Sequence, residues 1–213
     1  MRISSLALAV PILFAVSEAR AVAIDLRDPS FAPAVRTNHL EVAHSSYEFR
    51  FDALQLPDLS HDGELSWYRD DGFGIIGRGP ERDEISHPEV LRLSFGEEVF
   101  VDAILVANLF SEGPGPSPER GLYSLDGDLQ WTEFAAAGGH RNGEQWIEVH
   151  ALADSILFTT PRRETRPYRM RHEFSLAGIE LYRETGPAVP EPGTALLYAM
   201  SVVVVGWRIR ASA

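Results

Sequence analysis

The sequence contains no cysteine, and its 19 Lys+Arg residues are all arginine. A chain without cysteine has no disulfide, no thiolate metal ligand and no thiol nucleophile. Asp and Glu together number 31, so the formal net charge at pH 7 is -12. Because an acidic field repels the phosphate backbone, general nucleic-acid binding is excluded as a function.

Recognisable catalytic motifs are also missing. The sequence has no G-x-S-x-G, no H-E-x-x-H and no P-loop, and His172 has no second histidine at zinc-ligand spacing. Paired carboxylates, which glycoside hydrolysis requires, occur in any acidic domain and identify no active site. The sequence therefore predicts a protein that is not an enzyme and has no cofactor, apart from a calcium hypothesis described below.

Long hydrophobic runs are confined to the two ends of the chain. Residues 1–23 have the order of a secretory signal peptide: a basic start, an apolar core over residues 6–16, and small residues before a cut after Ala21 or Ala23. We therefore expect the general secretion machinery to export the chain and signal peptidase to cleave it.

The C-terminal region, residues 187–213, begins with a stiff spacer formed by Pro190, Glu191 and Pro192. Each proline ring fixes φ, removes a backbone donor and pushes the preceding residue toward an extended conformation. An uncharged apolar segment, residues 195–207, follows the spacer. This order predicts an exposed linker followed by a hydrophobic membrane helix.

The end of that segment has the features of a membrane boundary. Trp207 is an interfacial aromatic residue, and Arg208 and Arg210 supply a basic cytoplasmic end. Roughly 13 helical residues at about 1.5 Å each span about 20 Å, against a hydrocarbon core of about 30 Å. The short length favours transient over permanent residence in the membrane.

The export signal, the Pro-Glu-Pro triad, the apolar segment and the terminal arginines together resemble the PEP-CTERM proteins of Gram-negative bacteria. The resemblance implies that an exosortase, a membrane cysteine protease thought to act as a transpeptidase, recognises Pro190, Glu191 and Pro192 and removes the tail. Arg208 and Arg210 would form the basic end of the sorting segment. The implied location is transient anchoring in the inner membrane, then the cell surface or extracellular matrix.

Residues 24–186 have the size of one domain with its own core. Short alternating or apolar segments separated by Gly, Pro and Asp predict an all-β fold, a single β-sandwich of the jelly-roll kind. The predicted strands are 47–54, 91–95, 99–109, 121–124, 129–134, 145–149, 155–160 and 173–182. The segment 99–109 is nearly all apolar, which predicts a strand buried on both faces or a bent strand passing between sheets.

The glycine-rich segment 70–85 carries Gly72, Gly74 and Gly77 at the spacing of a dinucleotide-binding fingerprint. That fingerprint requires a helix directly after the glycines, but Pro80 follows and no helical period is present. The segment is similar to a Gly-rich stretch followed by Glu-Arg-Asp-Glu-Ile in uncharacterised β-sandwich domains of PEP-CTERM proteins. That resemblance implies a shared fold and no activity.

Four acids in this segment, Asp70, Asp71, Asp83 and Glu84, are candidate ligands for Ca²⁺ or another ligand. Ca²⁺ takes oxygen ligands in flexible geometry, and carbonyls of the glycine-rich segment would complete the set. The alternative, which the sequence favours, is that these acids solvate turns and pair with neighbouring arginines.

Two further features allow a binding role. Trp67, Tyr68, Trp131 and Trp146 are able to stack on sugar rings, although such residues more often pack in the core or across strands. Five arginines within residues 162–171 form a basic cluster that suits an anionic polysaccharide or lipid headgroup, or the domain's own carboxylates.

These observations predict an exported cell-surface or matrix protein with a structural or adhesive role. Its expected partners are the secretion machinery with signal peptidase, an exosortase-type transpeptidase and extracellular polysaccharide. The alternative is a carbohydrate- or Ca²⁺-binding surface module.

Overall fold

The computed structural model describes residues 21–77, 84–110, 118–137, 143–162 and 172–182. They belong to one compact unit, Arg20–Arg183. Within them lie eleven strands and one short 3₁₀ helix, Pro29–Ala34. The strands are β1 (Ala21–Asp25), β2 (His39–His44), β3 (Tyr47–Gln55), β4 (Glu64–Tyr68), β5 (Gly72–Ile76), β6 (Ile85–Ser86), β7 (Glu89–Ala107), β8 (Arg120–Leu125), β9 (Thr132–Ala135), β10 (Gln145–Thr159) and β11 (Glu173–Tyr182).

All strand pairs between these elements are antiparallel, and the long strands β7 and β10 join them into one sheet. On one side β7 pairs with β10. On its other side β7 pairs first with β3, over residues 89–95, and then with β11, over residues 100–107. The sheet therefore divides at the middle of β7, and β3 and β11 diverge from that point.

Strand β11 is held from both sides over most of its length. One side pairs with β7, while the other pairs in succession with β6 at Phe174, β5 at Leu176 and β1 from Gly178 to Tyr182. The path β4-β5-β11-β7-β10-β8-β9 runs through this strand. The first described strand is β1 and the last is β11. Their pairing places Ala21 opposite Tyr182.

The sheet curls around an aromatic core. Phe51 on β3 and Phe73 on β5 belong to strands that do not pair, yet their rings stack with centroids 4.0 Å apart. Phe31 from the 3₁₀ helix meets both rings edge to face. Each of these side chains is fully buried, and burying one Phe contributes about 1.5–3 kcal/mol to folding.

Gly72 allows β5 to lie close against β11. Its φ is +94°, and a Cβ at this position would collide with the carbonyl oxygen of Leu176. Glycine adopts such backbone angles without a steric penalty, so this residue permits the close approach.

The predicted all-β fold is confirmed. The predicted strand 173–182 coincides with β11, and 47–54 differs from β3 by one residue. Segments 91–95 and 99–109, predicted as separate strands, form the single bent strand β7. The glycine-rich segment contains a strand, β5, that was not among the predicted strands, and two of the three glycines at fingerprint spacing, Gly72 and Gly74, lie in it. The predicted signal peptide core and sorting segment lie outside the described residues.

Candidate functional site

A polar cleft of about 560 Å³ lies on the outer face of the sheet, the side away from the aromatic core. Three parts of the chain line it: the end of β1, the turn between β4 and β5, and the residue before β10. Its charged residues are Asp25, Arg27, Asp28, Arg69, Asp70 and Glu144. We call this site the Arg27 cleft.

Arg27 bridges two sides of the cleft. Its Nε lies 2.8 Å from Asp25 Oδ1, and its Nη1 lies 2.6 Å from Glu144 Oε1. Arg27 lies just after β1 and Glu144 just before β10, so this bridge connects the ends of two strands between which the sheet contains β11 and β7. On β7 and β11, Leu105, Ala107 and Ala177 form a small buried apolar cluster.

The hydrogen bonds between Arg27 and Asp25 determine the charge states of both groups. Hydrogen bonding to Asp25 raises the pKa of Arg27. Partial burial alone would raise the pKa of Asp25, but its hydrogen bonds to Arg27 outweigh burial and lower it. Both groups therefore stay charged through the neutral range, and their charges largely cancel.

On the opposite side of the cleft, two charged side chains have no partner among the described residues. Arg69 and Asp70 occupy the turn between β4 and β5 and are exposed. Within the described part of the chain, neither side chain has a hydrogen bond or an ion pair. The cleft thus combines a fixed cation bound by two acids with one cation and one acid that face solvent.

Trp146 lies on the same outer face. It is directly opposite Leu105 on β7, which is opposite Gly178 on β11, which is opposite Asp25 on β1. Directly opposed residues in antiparallel strands point to the same side, so Trp146 and Asp25 end one cross-strand row. Trp146 also follows Glu144 by two residues, and it is 47% exposed.

The other predicted aromatic residues have different environments. Trp67 is partly buried against the core, and its Nε1 donates a hydrogen bond to the Leu26 carbonyl at 2.8 Å. Trp131 packs on a small apolar cluster around Leu54 on the outer face. Tyr68 is 48% exposed at the end of β4. Trp146 is thus the exposed tryptophan among the four candidates.

The predicted Ca²⁺ ligands are divided by β5. Asp70 and Asp71 lie before the strand, whereas the Glu84 backbone lies beside Ile75, four residues further along it. At about 3.3 Å per residue, this separation exceeds 13 Å. Asp83 lies outside the described residues. Among residues that the structure describes, no three His, Asp or Glu side chains form a metal-binding group.

A second ionic group on the outer face reverses the arrangement of the Arg27 cleft: here one buried acid is bound by two arginines. The Asp52 side chain is fully buried and accepts hydrogen bonds from Arg50, at 3.0–3.1 Å, and from Arg92, at 2.8–3.0 Å. Burial favours a raised pKa, but these hydrogen bonds outweigh it and lower the pKa of Asp52. We call this group the Asp52 cluster.

Sequence reasoning missed two other titratable groups. His150, at a bulge in β10, lies 2.8 Å from Asp102 on β7, and this hydrogen bond raises the pKa of the imidazole. Burial raises the pKa of Glu119 to about 7, opposed by the Phe110 backbone N–H and supported by the negative charge of Glu173. The partners are 48 residues apart for His150 and 54 for Glu119 and Glu173, so no local pattern signals either group.

The sorting motif Pro190, Glu191 and Pro192, its basic end Arg208 and Arg210, and most of the arginine cluster lie outside the described residues. In the described part of the chain, no helix has the length and apolar character needed to cross a membrane. Comparison with protein-family models, curated proteins and solved structures returned no match for this chain.

Proposed function

We propose that this chain is an exported, non-enzymatic surface protein whose all-β domain is tethered and sorted through its C-terminal tail. In this proposal the secretion machinery translocates the chain, signal peptidase removes the N-terminal segment, and an exosortase acts at Pro190-Glu191-Pro192. The domain then serves a structural or adhesive role at the cell surface or in the extracellular matrix.

The pairing of Ala21 with Tyr182 is the observation that supports this proposal best. The predicted export signal ends at Ala21 or two residues later at Ala23, and the predicted sorting region begins five residues after Tyr182. Both predicted signals therefore leave the domain at one point on its edge. A domain attached at a single point keeps its remaining surface available to partners such as extracellular polysaccharide.

The same pairing favours one of the two signal-peptidase sites. Cleavage after Ala23 would remove three of the five paired residues of β1, including Val22, which packs against the core. Cleavage after Ala21 would retain four of the five. We therefore propose that the mature chain begins at Val22.

We also propose that the curled sheet is a sandwich of the jelly-roll kind. Contacts between strands that do not pair support this description, since β3 faces β5 through Phe51 and Phe73, and β9 faces β11 through Phe134 and Phe174. A helical conformation of residues 195–207 remains part of the proposal.

The experiment is mass determination of the mature protein in separated cell fractions. We expect an N-terminus at Val22 and a C-terminus truncated near Pro190 to Pro192, in a surface or extracellular fraction. Replacing Pro190, Glu191 and Pro192 together by Ala is expected to leave the full tail on a membrane-associated protein. Pro187→Ala, in the same tail, is the control and should be processed normally. An intact wild-type C-terminus at Ala213 in the inner membrane would contradict sorting.

A structural role has its own readout. Deleting the gene is expected to reduce cell aggregation or surface polymer, with restoration by the wild-type chain. Unchanged aggregation and polymer after deletion would argue against a structural or adhesive function.

A further inference from the structure

We propose that the Arg27 cleft, together with Trp146, binds a neutral oligosaccharide. This inference concerns the outer face of the domain and does not depend on export or sorting. It assigns a ligand class to one site, defined by a cleft, an exposed aromatic ring and hydrogen-bonding groups of both kinds.

The size and shape of the site suit a small ligand. Its volume of about 560 Å³ is within the range of about 300–1,000 Å³ typical of ligand sites. The cross-strand row extends the site from Asp25 toward Trp146, over about 14 Å, with Leu105 and Gly178 between them. Gly178 has no side chain, and the buried Leu105 side chain packs against it between the two ends of the row.

Trp146 is the stacking element. Trp131, by contrast, packs against the apolar cluster around Leu54. Trp146 keeps 47% of its surface exposed. A sugar presents C–H groups on the faces of its ring, which pack against an aromatic ring while its hydroxyls remain at the edges.

The polar side chains of the cleft are suited to hydrogen bonds with sugar hydroxyls rather than to ion pairs with a charged ligand. Carboxylates of Asp25, Asp70 and Glu144 accept hydrogen bonds from sugar hydroxyls, and the exposed guanidinium of Arg69 donates to hydroxyl or ring oxygens. Arg27 is already bound by two acids, so its charge does not attract an anion.

Charge complementarity excludes acidic sugars. The six charged residues of the cleft are four acids and two arginines, and the whole chain has a formal net charge of -12. This field repels uronic acids and sulfated sugars. A cation is disfavoured as well, because no three His, Asp or Glu side chains converge within the part of the chain that the structure describes.

The test is titration calorimetry and glycan-array binding with the full-length chain in mild detergent, using neutral oligosaccharides and matched uronic-acid or sulfated oligosaccharides as probes. Trp146→Ala is expected to weaken binding of the neutral probe about tenfold or more. Asp70→Asn is expected to weaken it severalfold. The matched control is Leu152→Ala, which removes an equally exposed apolar side chain, 47%, from the same strand β10 and should leave binding unchanged.

Circular dichroism and thermal unfolding of each variant establish that it is folded. Binding of the neutral probe that is lost in Trp146→Ala and kept in Leu152→Ala supports the proposal. Three outcomes overturn it: no binding of any neutral probe by the folded wild-type chain, equal binding by Trp146→Ala, or preference for the anionic probes. The tail variant at Pro190, Glu191 and Pro192 should bind normally, which separates this result from any failure of sorting.

Discussion

The Asp52 cluster and the Arg27 cleft contain the same chemical groups in different settings. In the Asp52 cluster one fully buried carboxylate is bound by two arginines, and Arg92 has Leu157 as its other cross-strand neighbour. In the Arg27 cleft one arginine is bound by two acids whose side chains are 58% and 38% exposed, above small residues. The Asp52 carboxylate is shielded from solvent beside an apolar cluster, whereas the acids of the Arg27 cleft face solvent.

This difference separates a stabilising role from a binding role. Breaking a buried ion pair leaves an unpaired charge out of water, which is strongly unfavourable, whereas exposed ion pairs contribute little. We therefore expect substitutions in the Asp52 cluster to change stability and substitutions in the Arg27 cleft to change binding.

Asp52→Ala should produce the largest change in stability. Removal of the carboxylate leaves the partly exposed Arg50 and Arg92 as adjacent like charges without their shared hydrogen-bond acceptor, and we expect a loss of about 2 kcal/mol in the free energy of unfolding. Urea denaturation followed by circular dichroism measures this. A loss no larger than that of Asp70→Asn would contradict the contrast between the two groups.

Glu119, whose carboxyl group is influenced by the negative charge of Glu173, should give the next largest change in stability. Because the folded-state pKa of Glu119 is about 7, above its ordinary value of 4.5, the folded chain holds a proton that the unfolded chain releases between these pH values. Its contribution to stability is therefore complete below pH 4.5 and is lost as pH rises to about 7. Allowing for solvent screening, we expect a decrease of about 1–2 kcal/mol over this window.

Glu119→Gln is the matched variant, because the amide keeps an acceptor for the Phe110 N–H and does not titrate. Urea denaturation at several pH values should show a smaller slope for the variant between pH 4.5 and 7, with equal stabilities near pH 4.5. A slope equal to that of the wild type would assign the pH dependence to another group.

Arg27→Ala should affect stability less. Its removal exposes Asp25 and Glu144 to water that already reaches them, so the expected loss is about 1 kcal/mol or less. Thermal unfolding measures the loss, and about 1 M salt should reduce the difference from the wild type, since screening weakens exposed pairs. A loss comparable to that of Asp52→Ala would show that the cleft has a structural role.

Asp70→Asn should have the smallest effect on stability. The side chain is exposed and has no ion pair or hydrogen bond with any described residue, so the free energy of unfolding should change by less than about 0.5 kcal/mol. Any larger loss in urea denaturation would indicate a structural contact for this residue.

Local patterns predicted the strands whose residues alternate or are continuously apolar, such as β3 and β11. Local patterns failed where strand pairing, and not local polarity, determines the structure. Segments 91–95 and 99–109 were predicted as separate strands, but β7 continues through Gly96, Glu97 and Glu98, and β10 pairs on both sides of this point with register shifts. Strand β5 was missed because its first residue, Gly72, permits close contact with β11, which no local pattern records.

Some residues of the proposed binding site could be predicted from the sequence, and others could not. Asp70 and Trp146 are residue types that suggest binding on their own, and both were candidates from the sequence. Arg27 and Glu144 were not, because they are 117 residues apart and only the order of strands brings them together. The Asp25-x-Arg27 spacing places two opposite charges close together at the end of β1, which is the local signal that was available.

The position of β11 has a mechanical consequence. Any pull on the C-terminal tail enters the domain at Tyr182 and acts along a strand whose hydrogen bonds to β7 on one side and to β1, β5 and β6 on the other lie across the pulling direction. Such a load shears many hydrogen bonds at once instead of opening them one by one. The domain is therefore built to resist force at the end from which its tail extends.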